Sequence, residues 1–425
     1  MAYLPFIGIL RACFGIREGA DAAEAERCLR SALDSRGHSL SSLLPPLSDV
    51  LSIPCKDEEY ELLEPRQKRD RIFRALSNVL LEESRLSPLV IAIESLMWID
   101  RTSEEFLGTL TEILQESKIL LILLYRPGYS FPSAKRTSFT QINLGQLPPD
   151  HAPQLVAAVL DAPPSQELQK LLTETSGGNP LFVEELANSL LEKGFIAKSE
   201  KGYDLAVRSF DVPIPSTIHD IIAARIDHLD EPFKKILQVA SVIGKRFSRP
   251  ILHAVTGGEP NLAESLRELE RLDLVNRETI GNDDEYHFKH DLVREVAYKS
   301  LLVRKRKELH EAVAKAIESC NSDSIEQVQE LLAYHFSKSS NAEKAYAYLK
   351  QSGAKSTRNS SLWEAFRFYK QALVLAGEDN LVSQEERLQV TLQMASAMIS
   401  LGFPEDSLDI LRQAEAIARN LKDTN

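Results

Sequence analysis

Two short apolar runs with an amphipathic segment between them most constrain what this chain can fold into. Residues 89–93 and 119–125 are continuous in apolar side chains and lack the alternation of a strand with one wet face. Runs of that kind mark parallel strands covered on both faces. Between them, Phe106, Leu107, Leu110, Ile113 and Leu114 fall on one side of a helix over about 102–115. Strand, helix and strand with short connections predict a right-handed βαβ unit. A third short strand is expected at 139–144.

The flanking sequence has a different texture. Residues 1–86 read as helices joined by polar loops, with a long loop at 37–52 around Pro45 and Pro46. A helix is predicted over 65–84 from the spacing of Ile72, Phe73, Leu76, Val79 and Leu80. From 148 to 193 the pattern is helical and is broken at Ser176-Gly177-Gly178-Asn179-Pro180. Asn179 suits an N-cap, Pro180 the first helical position and Gly194 the position past the end, so 181–193 is read as a helix. A polar segment at 198–212 leads to helices at 216–228, 231–243, 250–255 and 262–272. Runs at 274–280 and 285–289 flank Gly281-Asn282-Asp283-Asp284, a hairpin signal, and helices followed by such a wing suggest a winged helix. The remainder is helical. Trp363, Ala365, Phe366, Tyr369, Ala372 and Leu373 give 345–355 and 361–376 the character of a tetratricopeptide pair, followed by a second pair at 385–401 and 405–421.

A chain of 425 residues is too long for one core. Its net charge of −12 weighs against nucleic acid and anionic membrane surfaces as partners, since both reward a basic footprint. The run Arg304-Lys305-Arg306-Lys307 is short and reads as a solvated helix turn. No apolar run approaches the roughly 20 residues of a spanning helix, and residues 3–10 lack the basic flank of a secretory signal. Cys13, Cys28, Cys55 and Cys320 show no metal-ligand or redox spacing, as expected of reduced thiols in the cytoplasm.

Four blocks, in order, carry a resemblance. "PLVIAIESLMWID", "LLYRPG", "TSGGNPLFVEEL" and "YHFKHDLVREVAYKSLLVRKRKELH" resemble motifs of the signal-transduction ATPases with numerous domains. The branch is that of large bacterial regulators joining an adenylate/guanylate cyclase or a DNA-binding domain to an ATPase and tetratricopeptide repeats. The resemblance implies an α/β part followed by mostly α structure. Its blocks are the C-terminal part of a P-loop ATPase domain (1–145), a helical lid (146–212), a winged-helix-like domain (213–302) and tetratricopeptide-like repeats (303–425).

ATP chemistry on such a fold needs a glycine-rich loop of the form GxxxxGK followed by Ser or Thr, whose backbone N–H groups cradle phosphate. The sequence contains no match; Gly244-Lys245 is followed by Arg246. In the family that loop lies before the segment matched by residue 1, so the chain is expected to be truncated ahead of it. The family also sets two acids after the first apolar run, one for magnesium and one for the attacking water. Here Glu94 remains and Ser95 replaces the second acid. The resemblance further implies nucleotide-facing roles for Asp100, Arg126 (a γ-phosphate sensor), Gly178 and Pro180 (packing on adenine), and His290 (touching an ADP phosphate). Each has a plainer alternative. Asp100 suits an N-cap, Arg126 a surface turn, Gly178 and Pro180 a helix start, and His290 a packed position at a helix start.

Three functions stay open at this point. One is a non-catalytic regulatory module acting through a protein partner bound by the repeats, with oligomerisation compatible. The second is the downstream part of a larger or split cyclase–ATPase, in which Glu94 and its companions serve ATP or ADP with magnesium held by another segment. The third is a transcription regulator of the same superfamily.

Overall fold

The computed structural model describes the chain apart from residues 1, 18–19, 36–39, 133–138, 149–150, 200–201, 207–216, 281–282, 323, 378–380 and 424–425. The described chain is mostly helical with small sheets, and it divides into two units, Met1–Phe139 with His310–Asn425, and Thr140–Leu309.

In the first unit the two apolar runs become strands. Helices α1 (Leu4–Phe14), α2 (Ala22–Ser35), α3 (Leu40–Leu51), α4 (Glu58–Glu61) and α5 (Pro65–Leu86) lead to β1 (Leu89–Ile93), α6 (Arg101–Ile113) and β2 (Ile119–Leu123). β1 and β2 pair in parallel, with Leu89 opposite Ile119 and Ile93 opposite Leu123. Ile91, Ile93 and Ile119 share a core with Phe6, Leu47, Ile72, Leu76 and Phe106. Phe6 meets Phe106 edge to face at 4.6 Å, the arrangement that ring quadrupoles favour.

Three expectations fail here. The loop read at 37–52 is instead helix α3 from Leu40 onward, with Pro45 and Pro46 inside it. Leu43, Leu44, Leu47, Val50 and Leu51 of α3 are all buried, and that burial outweighs the hydrogen bonds the prolines remove. No strand forms at 139–144, where Ile142 and Leu144 are exposed and the backbone joins no ladder. Finally, β1 and β2 are not covered on both faces among the described residues. Val90 and Leu120 are 60% and 58% exposed, and Ile122 lies beside them on the same open face.

The second unit opens with α7 (Ala152–Leu160), α8 (Gln166–Ser176) and α9 (Pro180–Glu192). A hairpin of β3 (Ile196–Ser199) and β4 (Gly202–Leu205) follows, where only polar connection was expected. Next come α10 (Ile218–Asp227), α11 (Glu231–Ile243), β5 (Arg246–Ser248), α12 (Arg249–Val255), α13 (Leu262–Arg271), β6 (Val275–Ile280), β7 (Asp283–Phe288) and α14 (Asp291–Ser300). β6 and β7 form the predicted antiparallel hairpin, although turn residues 281–282 lie outside the described residues. β5 adds an unforeseen third strand beside β7.

Helices α15 (Val303–Cys320), α16 (Ile325–Ser337), α17 (Ala342–Arg358), α18 (Leu362–Gly377), α19 (Gln384–Ser400) and α20 (Ser407–Asp423) complete the chain. The stacking residues read from the sequence are in place: Ala365, Phe366, Tyr369 and Ala372 are buried. Gly353 of α17 lets the Tyr369 ring approach, since a Cβ there would stand 2.7 Å from ring carbons. Between α15 and α16, His310 and His335 meet through their Nδ1 atoms at 3.0 Å, both fully buried. One ring donates and the other accepts, so the pair holds at most one proton between the two nitrogens. Burial, with His310 beside it, pushes His335 down to about 3.

Two outcomes follow. Gly353→Ala should destabilise the first unit by about 1–3 kcal/mol, because the buried Tyr369 ring has to shift; chemical denaturation measures it. His335 stays neutral in the fold while the unfolded chain takes up a proton at the ordinary value of 6.5. Stability from this group is complete above 6.5 and declines as pH falls toward about 3, and His335→Leu should flatten that acid limb.

Candidate functional site

In parallel sheets ligands bind beyond the carboxyl ends of the strands, so the residues that follow β1 and β2 come first. Glu94 follows β1 and is exposed. Ser95 takes a left-handed backbone (φ 56°) and turns the chain into the single turn Leu96–Trp98. The Leu96 amide donates to the Leu124 carbonyl at 3.0 Å, which fastens that turn to the end of β2. Arg126 follows β2, exposed, ahead of a turn in which the Tyr129 amide returns to its carbonyl at 3.3 Å. Glu94 and Arg126 thus leave from neighbouring strand ends. Asp100 is occupied: one carboxylate oxygen accepts from the Ser103 amide at 2.8 Å and the other from the Ser103 hydroxyl at 2.6 Å. It caps α6 with both oxygens, which is the structural alternative read from the sequence. Among the described residues no group of three or more His, Cys, Asp or Glu side chains is placed to hold a metal ion.

Gly178, Pro180 and His290 belong to the second unit. Gly178 has φ 78°, and a Cβ there would stand 2.8 Å from the Leu147 carbonyl oxygen, so only glycine fits. Its own carbonyl accepts from the Leu147 amide at 2.8 Å. Asn179 caps α9 by accepting from the Phe182 amide at 3.3 Å, and Pro180 is the first helical residue, exposed. His290 is the N-cap position of α14 without a side-chain cap bond. Its Nε2 lies 3.7 Å from Glu184 of α9 and has no hydrogen-bond partner among the described residues. Lys289 reaches the same Glu184 at 2.5 Å and also pairs with Asp273.

Helix α9 is the polar hub of this unit, and sequence reasoning missed it. The next residue, Glu185, points to another side of the helix, is fully buried and accepts from Arg225 at 2.5 Å. Glu192 accepts from the same guanidinium at 2.7 Å, and the Leu272 carbonyl at 2.8 Å. Burial opposes the charge of Arg225, but the hydrogen bonds and charges of Glu192 and Glu185 outweigh it and raise its pKa. The signal was present: Glu184-Glu185 interrupt the otherwise apolar start of α9, Leu181-Phe182-Val183. Acids on a buried helix require partners. The basic run at the start of α15 is quiet by comparison, with Arg304 and Lys305 both paired with Glu308.

No family model matches the chain. It is 26% identical over 347 residues to an uncharacterized protein of Rhizobium meliloti (strain 1021), a match covering 80% of this chain and 33% of that protein. The chain thus spans about a third of the length of that relative. Among solved structures it is similar to a signal transduction ATPase with numerous domains that carries a tetratricopeptide repeat sensor, from Pyrococcus horikoshii. That likeness has 15% identity and a TM-score of 0.38, and covers 83% of this chain and 65% of the other.

Arg225→Ala strands Glu185 as a buried, unmatched charge and should cost the second unit about 3–5 kcal/mol in denaturant unfolding. Arg225→Met combined with Glu185→Leu and Glu192→Gln should recover most of that loss. A triple variant no more stable than Arg225→Ala would show that the charges do more than match one another.

Proposed function

We propose that this chain is a regulatory module derived from the signal-transduction ATPases with numerous domains, without ATP hydrolysis of its own. It works in the cytoplasm through a protein partner. The observation that carries this reading is the carboxyl end of β1. Glu94 is the one acid there, Ser95 occupies the place of a second, and Asp100 spends both oxygens on capping α6. Hydrolysis needs a group that orients or activates water, and a serine hydroxyl does not do so at neutral pH without a base beside it. The sequence also offers no phosphate cradle of the GxxxxGK type. The α17–α18 pair and its successors supply stacked helices, and arrays of this kind present extended surfaces to protein partners.

The finer division is part of the same proposal. Residues 1–145 are the remnant of the P-loop domain, 146–212 the lid, 213–302 a winged-helix-like domain and 303–425 the repeats. The β5–β7–β6 sheet packed with α11 to α14 supports the winged helix. In this reading Gly178, Pro180 and His290 hold structure, as their capping and packing geometry allows, and DNA is not a partner.

A second reading is favoured by the open face of β1 and β2. Val90, Leu120 and Ile122 are the surface that a covering layer of a complete parallel sheet would bury. On this reading a segment of a longer polypeptide, such as a cyclase–ATPase regulator, supplies that layer and the phosphate loop. Glu94 and Arg126 then serve its ATP or ADP, with magnesium at Glu94.

Calorimetry of the purified chain with ATP and magnesium separates the two. The first reading expects no binding in the micromolar range and no change on Glu94→Gln. Micromolar, magnesium-dependent binding that Glu94→Gln abolishes would overturn it. Binding that appears only when the segment encoded upstream in the same frame is supplied would establish the second.

A further inference from the structure

Helix α19 is apolar on two opposite sides, and the described residues cover only one of them. Val390, Met394, Ala397 and Met398 are fully buried, and the helix packs with α18 and α20. On the opposite side Leu392 and Ile399 are each 64% exposed. A surface helix keeps one apolar stripe, and a helix apolar on both sides is one that is covered on both. From 388 to 404 no side chain is charged, in a chain of which 26% is charged.

The outward stripe continues past the helix end. Gly402 (φ 72°) and Phe403 (φ 58°) both take the left-handed backbone. The Gly402 amide donates to the Ile399 carbonyl at 3.1 Å and the Phe403 amide to the Met398 carbonyl at 2.8 Å. That conformation is unfavourable for a bulky side chain, yet the Phe403 ring it carries is 51% exposed. The strain is not offset by burying the ring against the described chain; it holds an aromatic ring in solvent one turn beyond Ile399.

The stripe is its own complement. On a helical wheel Leu388, Leu392, Ala395, Ser396 and Ile399 span about 100°, a single face. Two copies laid antiparallel about a twofold axis between Ala395 and Ser396 set Leu392 of one opposite Ile399 of the other, and Leu388 opposite Phe403. The small Ala395 and Ser396 fall at the crossing point, where two backbones come closest. Charge does not oppose this. Of the four acids flanking the stripe, Glu386 is paired with Lys350 at 3.0 Å and Asp406 with Lys370. Glu385 and Glu405 stand at the rim, where water and salt screen them.

We propose that α19 is a homodimerisation helix: a second copy of this chain covers its outward stripe through an antiparallel, twofold contact centred on Ala395 and Ser396. The same patch serves both copies, so the assembly closes at two. A stripe about 20 Å long is short for a permanent interface, and the dimer therefore forms and parts in the micromolar range. The inference rests on neither reading of nucleotide binding.

Sedimentation velocity of the full chain from about 1 to about 300 μM tests it, a span set by the weak end of specific interfaces. The wild type should pass from monomer to dimer across that span. Leu392→Lys and Ile399→Glu should each weaken dimerisation about tenfold or more. Their thermal midpoints at low concentration should stay near that of the wild type, because both side chains are exposed in the single chain. Mixed in equal amounts, the two variants should form a heterodimer tighter than either homodimer, since the antiparallel twofold sets position 392 of one copy against position 399 of the other. A chain still monomeric at the top of the span, as when a different protein covers this face, would overturn the proposal. A dimer that neither substitution weakens, or two variants that do not recombine, would do the same.

Discussion

A charge removed from water must be matched or erased, and the interior of this protein is organised by that constraint. Arg225 is matched, by Glu185, Glu192 and a backbone carbonyl, and the match ties α9 to α10 and to the turn after α13. His335 is erased, held neutral against His310. Glu364, buried, accepts the Thr102 hydroxyl and so joins α18 to the first turn of α6. Desolvating an unmatched ion is several kcal/mol unfavourable, so each arrangement fixes which helices can adjoin more sharply than apolar contact alone does.

Much of the fold was legible in the sequence. The parallel pair of β1 and β2 followed from two apolar runs, and the start of α9 from Asn179 and Pro180, because those signals are local. The failures were tertiary. Nothing local reveals that Leu43, Leu44 and Leu47 find a core deep enough to carry a helix through Pro45 and Pro46. The open face of β1 was unreadable for the opposite reason: an apolar run states what a strand is suited to, not what its surroundings supply.

The candidate residues were legible as residue types and not as geometry. Glu94 and Arg126 do leave from adjacent strand ends, while Asp100 turns out to be a helix cap. Gly178 is explained by a backbone approach that no other residue allows. His290 points toward Glu184, a partner the motif alone did not name. Partners more than a hundred residues apart, such as Lys289 and Glu184, leave no periodic trace in one sequence, and only the folded chain brings them together.

The placement of the two tryptophans gives the molecule a built-in optical readout. Trp98, 84% exposed, sits just ahead of the helix whose first residue, Arg101, covers Trp363. An aqueous quencher reaches the exposed first indole more readily than the part-buried second. What remains comes from a ring wedged between a guanidinium and Glu105, so its colour and lifetime follow any parting of α6 from α18 without a label having to be attached.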